Sequence, residues 1–260
     1  MSSDSFKHIA PHYNSMMDHI DYERWVVVTT MLAELCPDED FSHLDIACGT
    51  GSLLRELIDH RWASYGIDLS KAMLEEAKNQ SEGMQVAQAD MCHLPFKNHF
   101  AMATCFFDSL NFVTHDGGLQ RTLTSMYDAL NDIGVLAFDV ITERMVVDHF
   151  ADKDWVDNNS GHKARWSGKY DAENRIITNK IRVNKGERSV MQERVYTQDE
   201  IRATLVEAGF VVLGVFDTEN WREPDDETLR LDIVATKNTD DLIHLKFELI
   251  EADIQALLAD

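Results

Sequence analysis

The stretch at residues 43–52 reads HLDIACGTGS, and it predicts a strand that runs into a tight glycine turn with a helix behind it. Gly49 and Gly51 have no Cβ, so their backbone can adopt positive φ and a ligand can approach the peptide groups closely. The N-terminus of the following helix offers unpaired N–H donors. This combination is typical of a site for a nucleotide-like ligand.

Two residues near the turn help to distinguish a dinucleotide cofactor from one with a cationic group. A dinucleotide fingerprint expects a third glycine at position 54, where this chain has Leu54. Asp45 lies four residues before Gly49, and a carboxylate there would repel a pyrophosphate but can accept hydrogen bonds from a cationic ammonium group. Both residues disfavour an NAD-dependent oxidoreductase, which stays open as an alternative.

The motif Asp-x-Ala-Cys-Gly-x-Gly at residues 45–51 resembles motif I of the class I S-adenosylmethionine-dependent methyltransferases. Ala47 stands where that family usually has its first glycine, and we expect this small-for-small replacement to matter little for the turn. The resemblance implies a Rossmann-like fold and binding of S-adenosylmethionine at this turn.

Two later segments also end in an acid, as motifs II and III of the family do. Asp68 ends a predicted strand, where a carboxylate can accept both hydroxyls of a ribose. Asp90 falls near the end of a predicted strand over 84–91, and the resemblance implies that it accepts from the adenine amino group while Met91 donates its backbone N–H. Three strand-end acids in this order indicate an adenosine-containing cofactor.

The N-terminal residues 6–35 have apolar side chains at a spacing of three and four, which predicts two helices. Tyr13, Tyr22 and Trp25 match a family segment that precedes motif I and closes over the cofactor. The resemblance therefore assigns the cofactor site to Tyr13, Trp25, Asp45, Ala47, Cys48, Gly49, Gly51, Asp68, Leu69, Met73, Asp90, Met91 and Phe107.

The apolar segment 100–107 predicts a central strand, and it ends in FFDSLN at residues 106–111. Methyltransferases of DNA bases and many of RNA bases carry Asn/Asp-Pro-Pro-aromatic here, and this chain has no proline in the segment. The segment resembles the form found in bacterial small-molecule methyltransferases. Asp108 and Asn111 are polar groups at the strand's carboxyl end, where open α/β sheets bind ligands.

A fifth strand is predicted over 135–140, and the pattern then changes from helical spacing to strand alternation between residues 152 and 196. We interpret this part as an inserted antiparallel β segment, with turns at 171–174 and 184–187. Its aromatic residues Trp166 and Tyr170 suit the wall of an acceptor site.

The regular βαβ series predicts an α/β fold with a doubly wound, mostly parallel sheet, and the resemblance implies that this sheet is Rossmann-like and seven-stranded. We predict four parts: 1–151 with the N-terminal helices and the cofactor-binding core, 152–196 as a substrate-covering insertion, 197–237 as the rest of the core sheet, and 238–260 as a C-terminal helix. The apolar residues Leu242, Leu245, Leu249 and Ile254 of that helix must pack on the body or on a partner chain. A homodimer is one way to bury them.

Composition restricts the partners of the 260-residue chain. A net charge of −22 and a pI near 4.7 disfavour a nucleic-acid partner. No apolar run of about 18 residues and no leader-like N-terminus are found, so we expect a cytoplasmic protein without a membrane partner. Four cysteines without Cys-x-x-Cys spacing predict neither a disulfide framework nor a metal site.

The sequence therefore predicts an enzyme that transfers the methyl group of S-adenosylmethionine to the nitrogen or oxygen of a small-molecule acceptor. An oxygen acceptor usually needs a general base, and the candidates are Tyr13, Asp108, His115 and Tyr170. The substrate-binding candidates are Asn111, Trp166 and Tyr170. A cofactor-binding protein without turnover is the alternative from a different class.

Overall fold

The computed structural model describes residues 4–20, 22–36, 41–57, 62–81, 83–158 and 161–259. Residues 1–3 and 260, which begin the first predicted part and end the last, lie outside this range. Within it, no helix is long and apolar enough to cross a membrane.

The described part of the chain has eleven strands. Their bounds are β1 (Ser42–Ile46), β2 (Ala63–Asp68), β3 (Val86–Gln88), β4 (Phe100–Cys105), β5 (Leu130–Ile141), β6 (Asp154–Asp157), β7 (Ala164–Asp171), β8 (Ile176–Val183), β9 (Arg188–Arg194), β10 (Val211–Asp217) and β11 (Arg230–Thr236). Strands β1 and β4 are buried along their whole length, as central strands with helices on both faces must be.

The described part of the chain also has eight α-helices. Their bounds are α1 (Tyr13–Met16), α2 (Tyr22–Ala33), α3 (Ser52–Leu57), α4 (Lys71–Gln80), α5 (Gly118–Ala129), α6 (Glu143–Met145), α7 (Gln198–Ala208) and α8 (Leu242–Leu258). Ser70 caps α4 by accepting from the Met73 N–H at 3.2 Å. Thr197 and Glu200 form a capping box at the start of α7.

Seven strands form one sheet in the order β10-β11-β5-β4-β1-β2-β3. Strands β1 to β5 pair in parallel, and β11 runs antiparallel between β5 and β10. One apolar cluster packs under α5 and α7, and a second packs under α2 and α8 on the opposite face. The predicted fold class, a doubly wound and mostly parallel seven-stranded sheet, is confirmed.

Strands β6 to β9 form a separate four-stranded antiparallel sheet, which we call the insertion sheet. The predicted antiparallel insertion is thus present, with β6 as an additional strand. Ile9 and Met16 of the N-terminal segment pack against its inward-facing residues Ala164, Ile181 and Met191. The N-terminal segment and the insertion sheet therefore pack against each other.

Two predicted core strands have different bounds. The strand predicted over 84–91 is limited to Val86–Gln88, because the Asp90 side chain caps a short 3₁₀ helix at Met91–His93 and ends the extended backbone. The strand predicted over 135–140 already begins at Leu130 and ends at Ile141. Phe100 of β4 pairs with Leu130 before a register shift, which lengthens β5.

The C-terminal helix α8 packs on the body with a different face than the sequence predicted. Leu242, Leu245 and Leu249 are 59%, 59% and 70% exposed, so they do not pack on the body, and the other alternative, packing on a partner chain, stays a prediction. The buried side chains of the helix are Ile243, Phe247, Ile250 and Ile254. The helix has two apolar stripes, and spacing alone does not tell which of them faces the core.

Candidate active site

A cavity of about 1330 Å³ lies at the carboxyl ends of β1, β2 and β4. This is the edge where open α/β sheets bind ligands, beside the reversal of strand order between β1 and β4. The N-terminal segment and the insertion sheet form the other walls. Sites for a single small ligand usually enclose roughly 300–1,000 Å³. The cavity therefore has room for a cofactor and a second molecule.

The glycine turn follows β1 and contains three residues with positive φ. Ala47, Gly49 and Gly51 have φ of 58°, 56° and 76°. A Cβ on Gly49 would lie 3.2 Å from Met73 Cε, and one on Gly51 would lie 2.3 Å from Met84 Sδ. Ala47 adopts the left-handed conformation at a cost of about 1–2 kcal/mol, and the turn forms with alanine at this position.

Asp68 joins the end of β2 to the glycine turn. Its Oδ2 accepts from the Gly49 N–H at 2.9 Å, and its Oδ1 accepts from the Ser70 N–H at 2.7 Å. Burial is the main cause of a raised pKa for this carboxyl group. The Leu69 N–H is a third backbone donor to this carboxylate, and the side chain lines the cavity.

Asp45 is buried beside the turn and lines the same cavity. The Thr104 hydroxyl donates to its Oδ1 at 2.8 Å. Burial raises the pKa of Asp45 to about 7, against the effect of that hydrogen bond. Burial also lowers the pKa of His43 to about 3, so its ring is neutral. His43 Nε2 lies 2.9 Å from the Thr104 hydroxyl. Because that hydroxyl donates to Asp45, Nε2 is the donor of this bond. Asp45 is thereby fixed in one orientation.

The third acid, Asp90, also faces the cavity together with Met91. Its Oδ1 accepts from the Cys92 N–H at 2.9 Å, which holds the carboxyl group at the start of the 3₁₀ helix. The sheet thus brings Asp45, Asp68 and Asp90 to one edge, as the order of the strand-end acids predicted.

Aromatic rings close the cavity beside the glycine turn. The Phe107 ring lies 4.5 Å from the Trp25 ring and 4.9 Å from the Tyr22 ring, measured between centroids. Phe107 has a φ of 63°, which turns the chain sharply after β4. Tyr13 lines the cavity from the N-terminal segment. These rings provide an apolar wall of the kind that holds a planar or methylated group.

A buried ionic group lies where β4, β5 and β11 end. Arg230 Nη2 is 2.8 Å from Asp108 Oδ1, and its Nη1 bonds Asp139 Oδ2. Asp139 also accepts from the Asp108 N–H at 3.0 Å through Oδ1. The Asp139 side chain is fully buried. Both carboxylates share one guanidinium, so Arg230 has little capacity left for an anionic ligand.

The insertion sheet lines the cavity with both aromatic and polar side chains. The rings of Trp155 and Trp166 stack at 5.3 Å with an interplanar angle of 8°, and both line the cavity. Asn179 and Glu193 lie on the same inward face, and Asn179 Nδ2 donates to Glu193 Oε1 at 3.4 Å. Glu193 was missed by the sequence analysis. Strand alternation could have found it, because it places Glu193 on the same face as Met191.

Three predicted site residues lie outside the cavity wall that the described residues form. Gly51 packs against Met84 instead of facing the cavity. Asn111 donates to the Arg194 carbonyl at 2.8 Å and accepts from the Ile141 N–H at 3.1 Å, so it ties β9 to β5. The Tyr170 hydroxyl donates to Glu143 Oε1 at 2.7 Å. In this structure the Asn111 and Tyr170 side chains make structural hydrogen bonds and do not line the cavity.

The remaining predicted cofactor residues all line the cavity, including Ala47, Cys48, Leu69 and Met73. The base candidates differ. Burial raises the pKa of Tyr13 strongly, which keeps its phenol protonated, and the charge of Asp108 is paired with Arg230. Burial and Glu143 likewise raise the pKa of Tyr170, which lies away from the cavity. His115 lies exposed at the cavity rim.

The buried carboxyl group of Glu193 makes a testable contribution to stability. Burial, followed by the charge of Asp108, raises its pKa from 4.5 to about 8, while Asn179 and Arg230 act in the opposite direction. Between these two pH values the folded protein keeps a proton that the unfolded chain releases, so stability falls as pH rises. We expect Glu193→Gln to melt several degrees above the parent beyond pH 8, and equally near pH 4.5.

Thermal melting of both proteins across this pH range measures the effect. Glu173→Gln, an exposed acid in the turn between β7 and β8, is the matched control. Parallel melting curves for Glu193→Gln and the parent at every pH would contradict the prediction.

The described wall suits an adenosine cofactor that carries a cation. Carboxylates at two strand ends can accept hydroxyl and amino groups, and the positive-φ backbone at Gly49 leaves space where a Cβ would crowd Met73. No diphosphate-binding pattern accompanies the turn, because Asp45 places a carboxylate beside it.

Comparison with known proteins agrees with this geometry. The family model described as a methyltransferase domain matches residues 44–134, which include the glycine turn and all three strand-end acids. A protein of Geobacillus sp. (strain WCH70), to which methyltransferase activity is attributed, is 27% identical over 247 residues that cover 90% of this chain and all of that protein.

Two further relatives are informative. The dTDP-3-amino-3,6-dideoxy-alpha-D-glucopyranose N,N-dimethyltransferase of Streptomyces fradiae is 30% identical over 103 residues, 40% of each chain. The crystal structure of an S-adenosylmethionine-dependent methyltransferase from Clostridium acetobutylicum ATCC 824 has the same fold, with a TM-score of 0.77 at 22% identity over 88% of this chain and 97% of that one. With the strand-end acids and the glycine turn in place, the chain belongs to the class I S-adenosylmethionine-dependent methyltransferases.

Proposed function

We propose that the enzyme transfers the methyl group of S-adenosylmethionine to the nitrogen or oxygen of a small organic acceptor. The observation that carries this proposal is one continuous cavity that extends from the glycine turn to the insertion sheet. A net charge of −22 disfavours a nucleic-acid acceptor. The Streptomyces fradiae relative, named for methylating an amino sugar, supports a small acceptor.

The cofactor half of the cavity would use the strand-end acids. Asp68 would accept the ribose hydroxyls with the lone pairs that its backbone contacts leave open. Asp90 and the Met91 N–H would hold the adenine edge, while Asp45 would lie towards the cationic end of the cofactor. When bound, S-adenosylmethionine supplies an electrophilic methyl group on a positively charged sulfur.

The acceptor half would lie under the insertion sheet, between Trp166, Phe112 and the group around Arg230. These residues would position the acceptor in line with the methyl group and exclude water. Holding a nucleophile in that geometry supplies much of the rate of such a displacement.

Isothermal titration tests the cofactor assignment. We expect S-adenosylmethionine and S-adenosylhomocysteine to bind, and NAD to show no heat of binding. A screen of small amines, alcohols and phenols with S-adenosylmethionine then finds the acceptor. Binding of NAD without S-adenosylmethionine would refute the proposal, and cofactor binding without methyl transfer to any acceptor would favour a non-catalytic binding protein.

Trp166 gives a test of the acceptor half. We expect Trp166→Ala to raise the acceptor KM about tenfold while the cofactor dissociation constant stays near that of the parent, because the ring belongs to the insertion sheet, where it stacks on Trp155. Tyr170→Phe is the control, since Tyr170 lies outside the described wall and loses only its bond to Glu143. Equal KM values for both variants and the parent would place the acceptor elsewhere.

A further inference from the structure

Glu193 is a buried acid with few hydrogen bonds to offset the hydration that its carboxyl group has lost. Its side chain is 5% exposed and lines the acceptor half of the cavity. Among the described residues it receives one side-chain hydrogen bond, from Asn179 Nδ2 at 3.4 Å. A buried carboxylate normally needs a cation or several donors to offset its lost hydration. The charge of Arg230 acts on Glu193 from a distance, but in the described structure Arg230 forms its ion pairs with Asp108 and Asp139.

The neighbouring Asn179 amide is also buried with an incomplete set of hydrogen bonds. Asn179 is 4% exposed and lines the same wall, and its Oδ1 has no hydrogen-bond partner in the described part of the chain. On adjacent strands, the Asn179 oxygen therefore lacks a donor and Glu193 has a single long hydrogen bond. A ligand with N–H groups can supply them, whereas a ligand with only acceptors cannot.

The charges of the wall point in the same direction. Seven of its described residues are Asp or Glu, and Arg230 is the single Lys or Arg among them. Arg230 already contacts both Asp108 and Asp139. A phosphate, diphosphate or carboxylate on the acceptor would find no available cation in this part of the protein and would face several carboxylates.

We propose that the methyl acceptor is an aliphatic amine, which enters as an ammonium ion, binds Glu193 and Asn179, and gives a proton to the Glu193 carboxylate. This inference rests on the proposed function and specifies its substrate class. It also separates this enzyme from relatives named for nucleotide-linked amino sugars, whose diphosphate would meet the acidic wall.

The proton transfer is needed because an ammonium nitrogen has no free electron pair. Below about pH 8 Glu193 holds a proton of its own, which it releases to water when the ammonium ion binds. The Glu193 carboxylate then takes one proton from the ammonium nitrogen and becomes neutral again. The freed electron pair forms the nitrogen–methyl bond while the carbon–sulfur bond breaks and leaves its pair on sulfur. The product departs as an N-methyl ammonium ion, and Glu193 keeps its proton until the next ammonium ion binds. A carboxyl group whose pKa is raised by burial accepts a proton readily near neutral pH.

The experiment compares isosteric ligands of different charge on the protein saturated with S-adenosylhomocysteine, which cannot react. Benzylamine, benzyl alcohol and benzoate are titrated by calorimetry at neutral pH, with phenethylamine as a longer amine. We expect an amine to bind at least about tenfold more tightly than the alcohol, and benzoate to show no binding. Glu193→Gln should weaken amine binding by about tenfold or more, while Glu173→Gln should match the parent.

Binding of S-adenosylmethionine and S-adenosylhomocysteine to each variant completes the test. We expect Glu193→Gln to leave both dissociation constants unchanged. Selective loss of S-adenosylmethionine binding would mean that Glu193 compensates the sulfonium, and would overturn the inference. Equal binding of alcohol and amine, or no amine binding to the loaded parent, would overturn it as well. If neither cofactor form binds the parent, the proposed function itself fails.

Discussion

Replacement of Asp68 by alanine is expected to weaken S-adenosylmethionine binding by on the order of 100-fold or more. The variant loses two charge-assisted hydrogen bonds to the ribose, worth about 1.5–3 kcal/mol each. It also loses the bonds that the Gly49 and Ser70 N–H groups donate to Asp68, which hold the glycine turn against β2. Isothermal titration measures the change.

Two comparisons make this prediction specific. S-adenosylhomocysteine has the same ribose, so its binding must weaken by the same factor. Asp68→Asn keeps the shape and one acceptor oxygen, and should lose less affinity than the alanine variant. A folded Asp68→Ala protein with the parent's dissociation constant would exclude the ribose role.

Much of this site could be predicted from the sequence because its acids follow strands of a parallel sheet. The carboxyl ends of such strands meet at one edge, so Asp45, Asp68 and Asp90 had to lie near each other once the βαβ series was recognised. Local sequence determines each of these positions. The insertion was equally visible, because its alternation differs from the helical spacing of the core.

Glu193 could not be assigned in the same way. Strand alternation places it on the inward face of β9, but its role depends on where the insertion sheet packs over the core. Asn111 illustrates the same dependence. It lies after β4 as expected, yet the carbonyl of Arg194 on the insertion sheet turns its side chain away from the cavity.

The apolar stripes of α8 show a second limit. Hydrophobic spacing predicted the helix, and the buried set includes Ile254, but Leu245 and Leu249 face outward. The choice between the stripes is made by Trp221 and Phe216, against which Phe247 packs. Such a preference arises between distant segments, and no pattern within the helix contains it.

Replacement of Arg230 by methionine is expected to destabilise the folded protein by about 3–5 kcal/mol, the usual cost of removing one partner from a buried ion group. The guanidinium contacts Asp108 and the fully buried Asp139, and methionine fills similar volume without charge. In a chain of this size, we expect the melting temperature to fall by roughly 10 °C. Arg144→Met is the control, because Arg144 pairs with Asp148 and Glu227 at the surface and should melt near the parent.

The pH dependence identifies the cause of the loss. Burial raises the pKa of Asp139, and the charge of Arg230 acts against that rise, so removing Arg230 makes the folded state hold the Asp139 proton more strongly than the unfolded chain does. The deficit of Arg230→Met should therefore be small in acid, where Asp139 is neutral in either state, and should grow as pH rises. Adding Asp139→Asn removes the most buried charge and should recover part of the lost stability. A deficit that is constant with pH, or no recovery in the double variant, would mean that Arg230 stabilises the fold by packing its side chain and not by its charge.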